Sequence, residues 1–132
     1  MATRFIAETE DGQSFRILVD FGANDTCLTQ DLANALRLVC SENHDPYPSV
    51  TVDGSEVLVD QSTYFTFLIG DYSEGDWVDV IPGSGMEMVV GYDWFECYNP
   101  RIDWRAKTVE FEDENDDPVV LQGLLDDEEV AG

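Results

Sequence analysis

Phe15-Arg-Ile-Leu-Val-Asp-Phe-Gly-Ala-Asn-Asp-Thr-Cys-Leu28 is the stretch on which the reading of this chain turns. Phe15 to Val19 is a short apolar run rich in strand formers, and it ends abruptly at Asp20. A carboxylate placed directly after Ile17, Leu18 and Val19 is costly to bury as a charge, so it belongs where a strand leaves the core. Gly22, two positions later, lets the backbone turn tightly beside that carboxylate. Such a stretch can set an acid on the floor of a cleft, although strands also end in an acid and a glycine for purely structural reasons.

Downstream, Asn24 to Leu28 reads as a second short strand, and Thr29 as the cap of a helix over Gln30 to Leu38 with Leu32, Ala35 and Leu36 on one face. Ser41 to Pro48 reads as a loop, marked by Asn, Asp and two prolines. Val50 and Val52, then Asp53-Gly54, then Val57 and Val59 give a hairpin signal. Tyr64 to Ile69 and Trp77 to Ile81 are further strands, joined by a Gly/Asp/Ser turn. Met88-Val-Val90 is a short buried strand closing on Gly91. Tyr92 to Tyr98 forms one or two helical turns, stopped before Asn99-Pro100. Arg101 to Trp104 and Thr108 to Phe111 make a hairpin, and Val119 to Leu121 a last strand. Many short strands with one or two short helices predict an all-β domain, a small barrel or sandwich.

The 132 residues fit one domain, and 43% are apolar, enough for an ordinary core. No run approaches the roughly 20 apolar residues that cross a bilayer, and the first residues lack the apolar stretch of a secretory signal. With 29 acidic and 6 basic residues the formal net charge is -23. Such a chain repels phosphates and anionic lipid, which argues against nucleic-acid and membrane partners. Ten acids lie between Glu110 and Glu129 and no base follows Lys107, so residues 124–132 read as a solvated acidic tail behind a domain over 1–123. Cys27, Cys40 and Cys97 are far apart, with a single histidine, His44. That composition predicts no zinc site, no other metal, and reduced, mostly buried thiols in a cytoplasmic setting.

Several motifs in order then resemble one family. Asp20-Phe-Gly-Ala-Asn-Asp-Thr-Cys-Leu28 is similar to the retroviral pattern Asp-Thr-Gly-Ala-Asp-Asp-Thr-apolar-Leu. Ile81-Pro82 through Gly85, Val89-Val-Gly91 and Asp93-Trp94-Phe95 resemble the proteases of gypsy-type LTR retrotransposons. Asn99 to Trp104, Lys107 to Phe111 and Val120-Leu-Gln-Gly123 continue that pattern, so the resemblance to retropepsin-like aspartic proteases covers roughly residues 13 to 123. It implies a closed acid-protease barrel and a homodimer, because the chain carries one catalytic loop and the chemistry needs two carboxylates. It implies Asp20 as the catalytic acid/base. Gly22 and Ala23 would line the cleft floor, Asp25 would lie near the substrate, and Val89 would wall the apolar subsites. The flap would run from Val50 to Val59, with Val52, Asp53, Gly54 and Ser55 meeting an extended peptide or polyprotein substrate.

No cofactor is implied, since the nucleophile is water. Phe21 stands where the family has Thr or Ser, whose hydroxyl braces the two loops across the dimer. Either Phe21 braces the dimer by apolar packing, or the domain is a catalytically silent dimerisation or peptide-binding module. An unrelated acidic β-domain used only for protein interaction is the third reading. Asp-Phe-Gly also occurs in protein kinases, but no Gly-rich phosphate loop or His-Arg-Asp accompanies it. Asp93 and Asp103 are expected to be caps or anchors, Asp53 a turn former, and Trp77, Trp94 and Trp104 core or dimer-packing residues.

Overall fold

The computed structural model describes residues 3–20, 22–23, 25–50 and 54–124, without the side chains of 43–45. Phe21, Val52, Asp53 and most of the expected acidic tail therefore lie outside the described residues.

Ten strands and two short helices follow one another: β1 (Thr3–Thr9), β2 (Ser14–Val19), β3 (Cys27–Thr29), α1 (Gln30–Ala35), β4 (Cys40–Val50), β5 (Glu56–Ile69), β6 (Tyr72–Ile81), β7 (Glu87–Val90), α2 (Tyr92–Tyr98), β8 (Arg101–Asp103), β9 (Thr108–Glu112) and β10 (Pro118–Gln122). The large sheet runs β1-β2-β7-β3-β6-β5-β4, and β1 also pairs with β5 through Glu8↔Leu68 and Thr9↔Phe67. That last pairing closes six strands into a barrel, which leaves β4 outside as the second arm of a long hairpin. A separate sheet, β10-β9-β8, packs on it. The expected all-β closed barrel is what the chain adopts.

Alternation builds the core. Ile17 and Val19 on β2, Leu28 on β3, Val78 and Val80 on β6, and Met88 and Val90 on β7 all point inward. Phe5, Phe65, Phe67, Phe95 and Phe111 fill the remaining volume. Burying side chains of this size contributes about 1.5–3 kcal/mol each before entropy is counted. No helix among the described residues is long and apolar enough to cross a membrane.

The structure corrects several sequence-based expectations. Residues 3–9, given no element, form β1: of its inward residues Thr3, Phe5, Ala7 and Thr9 only Phe5 is large and apolar, while Ile6 points out, so the period is hidden. Ser41 to Pro48 belongs to β4 rather than to a loop. The prolines are tolerated on an outer strand, and a register shift between Glu42 and Tyr47 takes up the irregularity. The turn before Trp77 shrinks to Gly70-Asp71, and β6 starts at Tyr72. Gly75 permits this, since a Cβ there would stand 2.8 Å from the Tyr64 hydroxyl across the pair.

Helix α1 ends at Ala35 instead of Leu38. Arg37 turns left-handed (φ 58°), while the Arg37 and Leu38 N–H groups bond back to Asn34 and Ala33, an αL stop that makes Ala33, not Ala35, the buried face. The thiols are more open than expected: Cys97 is exposed, and Cys27 and Cys40 are half-buried. Trp77 is 60% exposed, whereas Trp94 and Trp104 pack against the core.

Candidate active site

Asp20 emerges where β2 leaves the sheet. Its backbone N–H donates to the Val90 carbonyl of the parallel neighbour β7 (3.1 Å), which continues the pairing one residue past Val19↔Val90. The chain then folds back on itself. The Gly22 N–H donates to Asp20 Oδ1 at 2.8 Å, and the Ala23 N–H to the Asp20 carbonyl at 3.2 Å. The carboxylate is exposed and oriented by the loop's own backbone. At Gly22 a Cβ would come within 3.2 Å of Asp20 Oδ1, so the missing side chain leaves room for the acid.

A second loop locks the first in place. The Tyr92 N–H donates to the Ala23 carbonyl at 2.8 Å. Gly91 lies so close that a Cβ there would stand 2.7 Å from the Asp25 carbonyl oxygen and 2.9 Å from that of Ala23. Asp93, at the start of α2, accepts from the Thr26 N–H (3.1 Å) and the Thr26 hydroxyl (2.7 Å), as well as from the Trp94 N–H. The Thr26 hydroxyl in turn accepts from the Gly91 N–H at 3.2 Å. Asp93 is thus the expected anchor, as is Asp103, whose Oδ1 accepts from the N–H groups of Arg105 and Ala106.

Strand register gathers the other residues. Leu18 pairs with Val89, Val89 with Cys27, and Cys27 with Asp79. These four half-buried side chains form one row across β2, β7, β3 and β6, on the face opposite the core. Val89 therefore lies on the strand next to the one that delivers Asp20, flanked by apolar and thiol neighbours. At the far end the Tyr47 hydroxyl on β4 donates to the Asp79 carboxylate, tying the stem of the hairpin to the barrel wall. Gly54 (φ 86°) and Ser55 sit in the connection between β4 and β5, with Val50↔Glu56 as the last pair. The hairpin expected at Val50–Val59 is thus present, and its stem is longer than predicted.

Cys27, Tyr47 and Asp79 were absent from the sequence-based site. The alternation Val78-Asp79-Val80 is the signal that could have placed Asp79 on the outer face, whereas Tyr47 sat in a segment read as loop.

The charges here are like-signed. The Asp25 carboxyl is pushed up, first by burial and then by Asp93 and Asp79. Burial, with Asp79, Asp25 and Asp93, lifts the Cys27 thiol to about 11, so it stays protonated and is no nucleophile at neutral pH. The Tyr47 phenol is raised as well, through burial and its bond to Asp79. The arrangement presents one solvent-facing carboxylate on a rigid two-loop frame, beside a wall and under a hairpin.

Comparisons with known proteins fit this frame. The profile of the PEG10/RTL1 protease domain matches residues 16–116. A search by sequence among curated proteins finds no significant match. Among solved structures, the retroviral protease-like domain of Ddi1 from Leishmania major superposes with a TM-score of 0.69 over 95% of each chain at 12% identity. EIAV protease complexed with the inhibitor HBY-793 gives 0.54 at 19% identity, covering 74% of this chain and 88% of that one. At such identities the likeness speaks to fold, and the sequence profile speaks to family. Since that profile spans most of its length, the chain belongs to the PEG10/RTL1 protease-domain family, a retropepsin-like aspartic protease family.

Proposed function

We propose that the chain is an aspartic endopeptidase that works as a homodimer, with Asp20 of each copy facing the other across a two-fold axis. The observation that carries this is the exposed Asp20 carboxylate held by the Gly22 N–H at a strand end, on a loop locked by Gly91, Thr26 and Asp93. Two carboxyl groups about 3 Å apart cannot both ionise easily, so the pair shares one proton. The ionised Asp20 takes a proton from a water molecule, and that oxygen attacks the scissile carbonyl carbon. The protonated Asp20 donates to the carbonyl oxygen as the tetrahedral diol forms. Proton return to the amide nitrogen then lets the C–N bond break into a carboxylic acid and an amine.

Substrates are extended peptides or polyprotein segments, laid strand-like between the floor (Gly22, Ala23, Asp25, Val89) and the hairpin tip (Val52 to Ser55). Bulky apolar residues flank the cut bond. The test is cleavage of a peptide library by the native chain beside Asp20→Asn. Cleavage lost in the variant supports the reading. Equal cleavage by both, or a particle that stays monomeric in every buffer while cleaving nothing, rejects it.

Charge shapes the dimer. Two copies of net charge -23 repel one another, and salt screens that repulsion while acid neutralises it. Sedimentation is expected to show tighter dimers at mildly acidic pH or high salt.

Phe21 favours a second reading, a silent dimerisation or peptide-binding module, because it replaces the bracing hydroxyl. Phe21→Ser separates the two: activity gained only in that variant selects the silent module for the native chain.

A further inference from the structure

One cavity among the described residues does not border Asp20. About 800 Å³ in volume, it lies between two runs of consecutive residues, Ile69 to Gly75 on the β5–β6 hairpin and Pro118 to Gln122 on β10. The β5–β6 hairpin end and β10 thus flank one slot, whose lining Tyr98 and Asp113 to Asn115 complete. Both are open there. β10 is the outer strand of its sheet, and β6 pairs with β3 only from Asp79 onward, so its first residues bond to β5 alone.

The register says which groups point into the slot. The Gly123 N–H bonds to the Lys107 carbonyl, so Gly123, Leu121 and Val119 exchange bonds with β9. Val120 and Gln122 must then direct their N–H and C=O groups the other way, as the next such residue, Leu124, does when its N–H bonds to the Arg4 carbonyl. An edge of this kind is a template for an added strand. Val120 is also 61% exposed, an apolar contact for an incoming residue.

Charge selects the occupant. Asp71, Asp113 and Glu114 line the slot with accessible carboxylates, and no lysine or arginine does. The chain's own last residues, with Asp126, Asp127, Glu128 and Glu129, are repelled by such a lining. We propose that this slot receives an extended, basic polypeptide segment of a partner protein as an additional strand on β10. Backbone pairing supplies the geometry, and lysine or arginine side chains meet the flanking carboxylates.

The slot is separate from the candidate active site. Val19 pairs with Thr3 and Ser14 with Glu8, and Glu8 in turn pairs with Leu68, so the β5–β6 turn lies toward the barrel end away from Asp20.

The test uses the full 132-residue chain and a ten-residue synthetic peptide alternating lysine with valine and threonine, beside its glutamate counterpart. Amide exchange by NMR is expected to slow at Val120 and Gln122 on adding the lysine peptide. Affinity should fall at least tenfold between low salt and 0.3 M salt. Val120→Pro, which removes an outward N–H and no ladder bond, should weaken binding at least tenfold. Asp71→Lys with Glu114→Lys should do the same, which keeps the test intact if the proline variant unfolds. Asp20→Asn should bind as the native chain does, so that loss of the protease reading leaves this one standing. Equal binding of the glutamate peptide overturns the proposal, as does protection confined to the hairpin and the Asp20 loop. Protection of Val120 that rises with protein concentration and no peptide overturns it too, by making the slot a surface between copies.

Discussion

Asp20 and Glu74 are carboxylates in opposite circumstances. Asp20 is exposed at a strand end, and the Gly22 N–H orients it. Glu74 is 8% exposed on β6, where its Oε1 accepts from the Tyr72 hydroxyl (2.6 Å) and the Trp94 indole N–H (3.3 Å), within an aromatic cluster that includes Tyr98 and Phe111. Burial raises the Glu74 carboxyl, and its hydrogen bonds partly offset this. Burial, and after it the Glu74 charge, push the Tyr98 phenol up to about 12. A strongly perturbed acid is often taken as a pointer to chemistry. Here the perturbed one braces α2 against the barrel, and the candidate for chemistry is the open one.

The comparison can be broken or sharpened in order of effect. Asp20→Asn should lower peptide cleavage by about 10³-fold or more without changing the unfolding temperature, since the carboxylate holds no core contact. Activity assays beside thermal unfolding check both halves; an unfolding loss would make Asp20 structural like Glu74. Gly91→Ala should cost about 1–3 kcal/mol, because the backbone oxygens of Asp25 and Ala23 cannot step aside. Thermal denaturation should register it at roughly 4 °C per kcal/mol, with cleavage falling as the loop frame shifts.

Thr26→Val keeps the shape but leaves the Gly91 N–H and Asp93 short of a partner, a loss of about 1 kcal/mol readable in urea melts. Glu74→Gln should give the smallest change and the most diagnostic. The folded carboxyl sits above its ordinary 4.5, so its favourable contribution is complete below that pH and fades as pH rises through the raised value. Glutamine keeps an acceptor without the charge. The variant should melt higher than the native chain at pH 7 and alike near pH 4. A melting point lower than native at pH 7 would mean that the ionised form is the stabilised one.

Local chemistry made much of this legible. The run into Asp20, the Thr29 cap and the stop at Asn99, left-handed at φ 45°, depend on neighbours in sequence, and each stands in the structure. Long-range partners decided what was missed. Proline 46 and proline 48 read as loop because nothing nearby announces the long β5 that pairs β4. β1 carried no visible period, because Phe5 is the one large apolar residue among its inward positions while Ile6 points out. Tyr47 and Asp79 meet across the intervening strand β5, a contact that no spacing encodes.

The order of apolar runs, turn formers and the Asp20-x-Gly22 step follows from the chain alone, as do its family and its charge. Those properties rest on residues within a few positions of one another, where backbone and solvation preferences act. The closure of β1 on β5, the burial of Glu74 and the slot flanked by the β5–β6 hairpin and β10 rest on residues tens of positions apart. Only packing the whole barrel brings them within reach, because burial and register are properties of the assembled sheet.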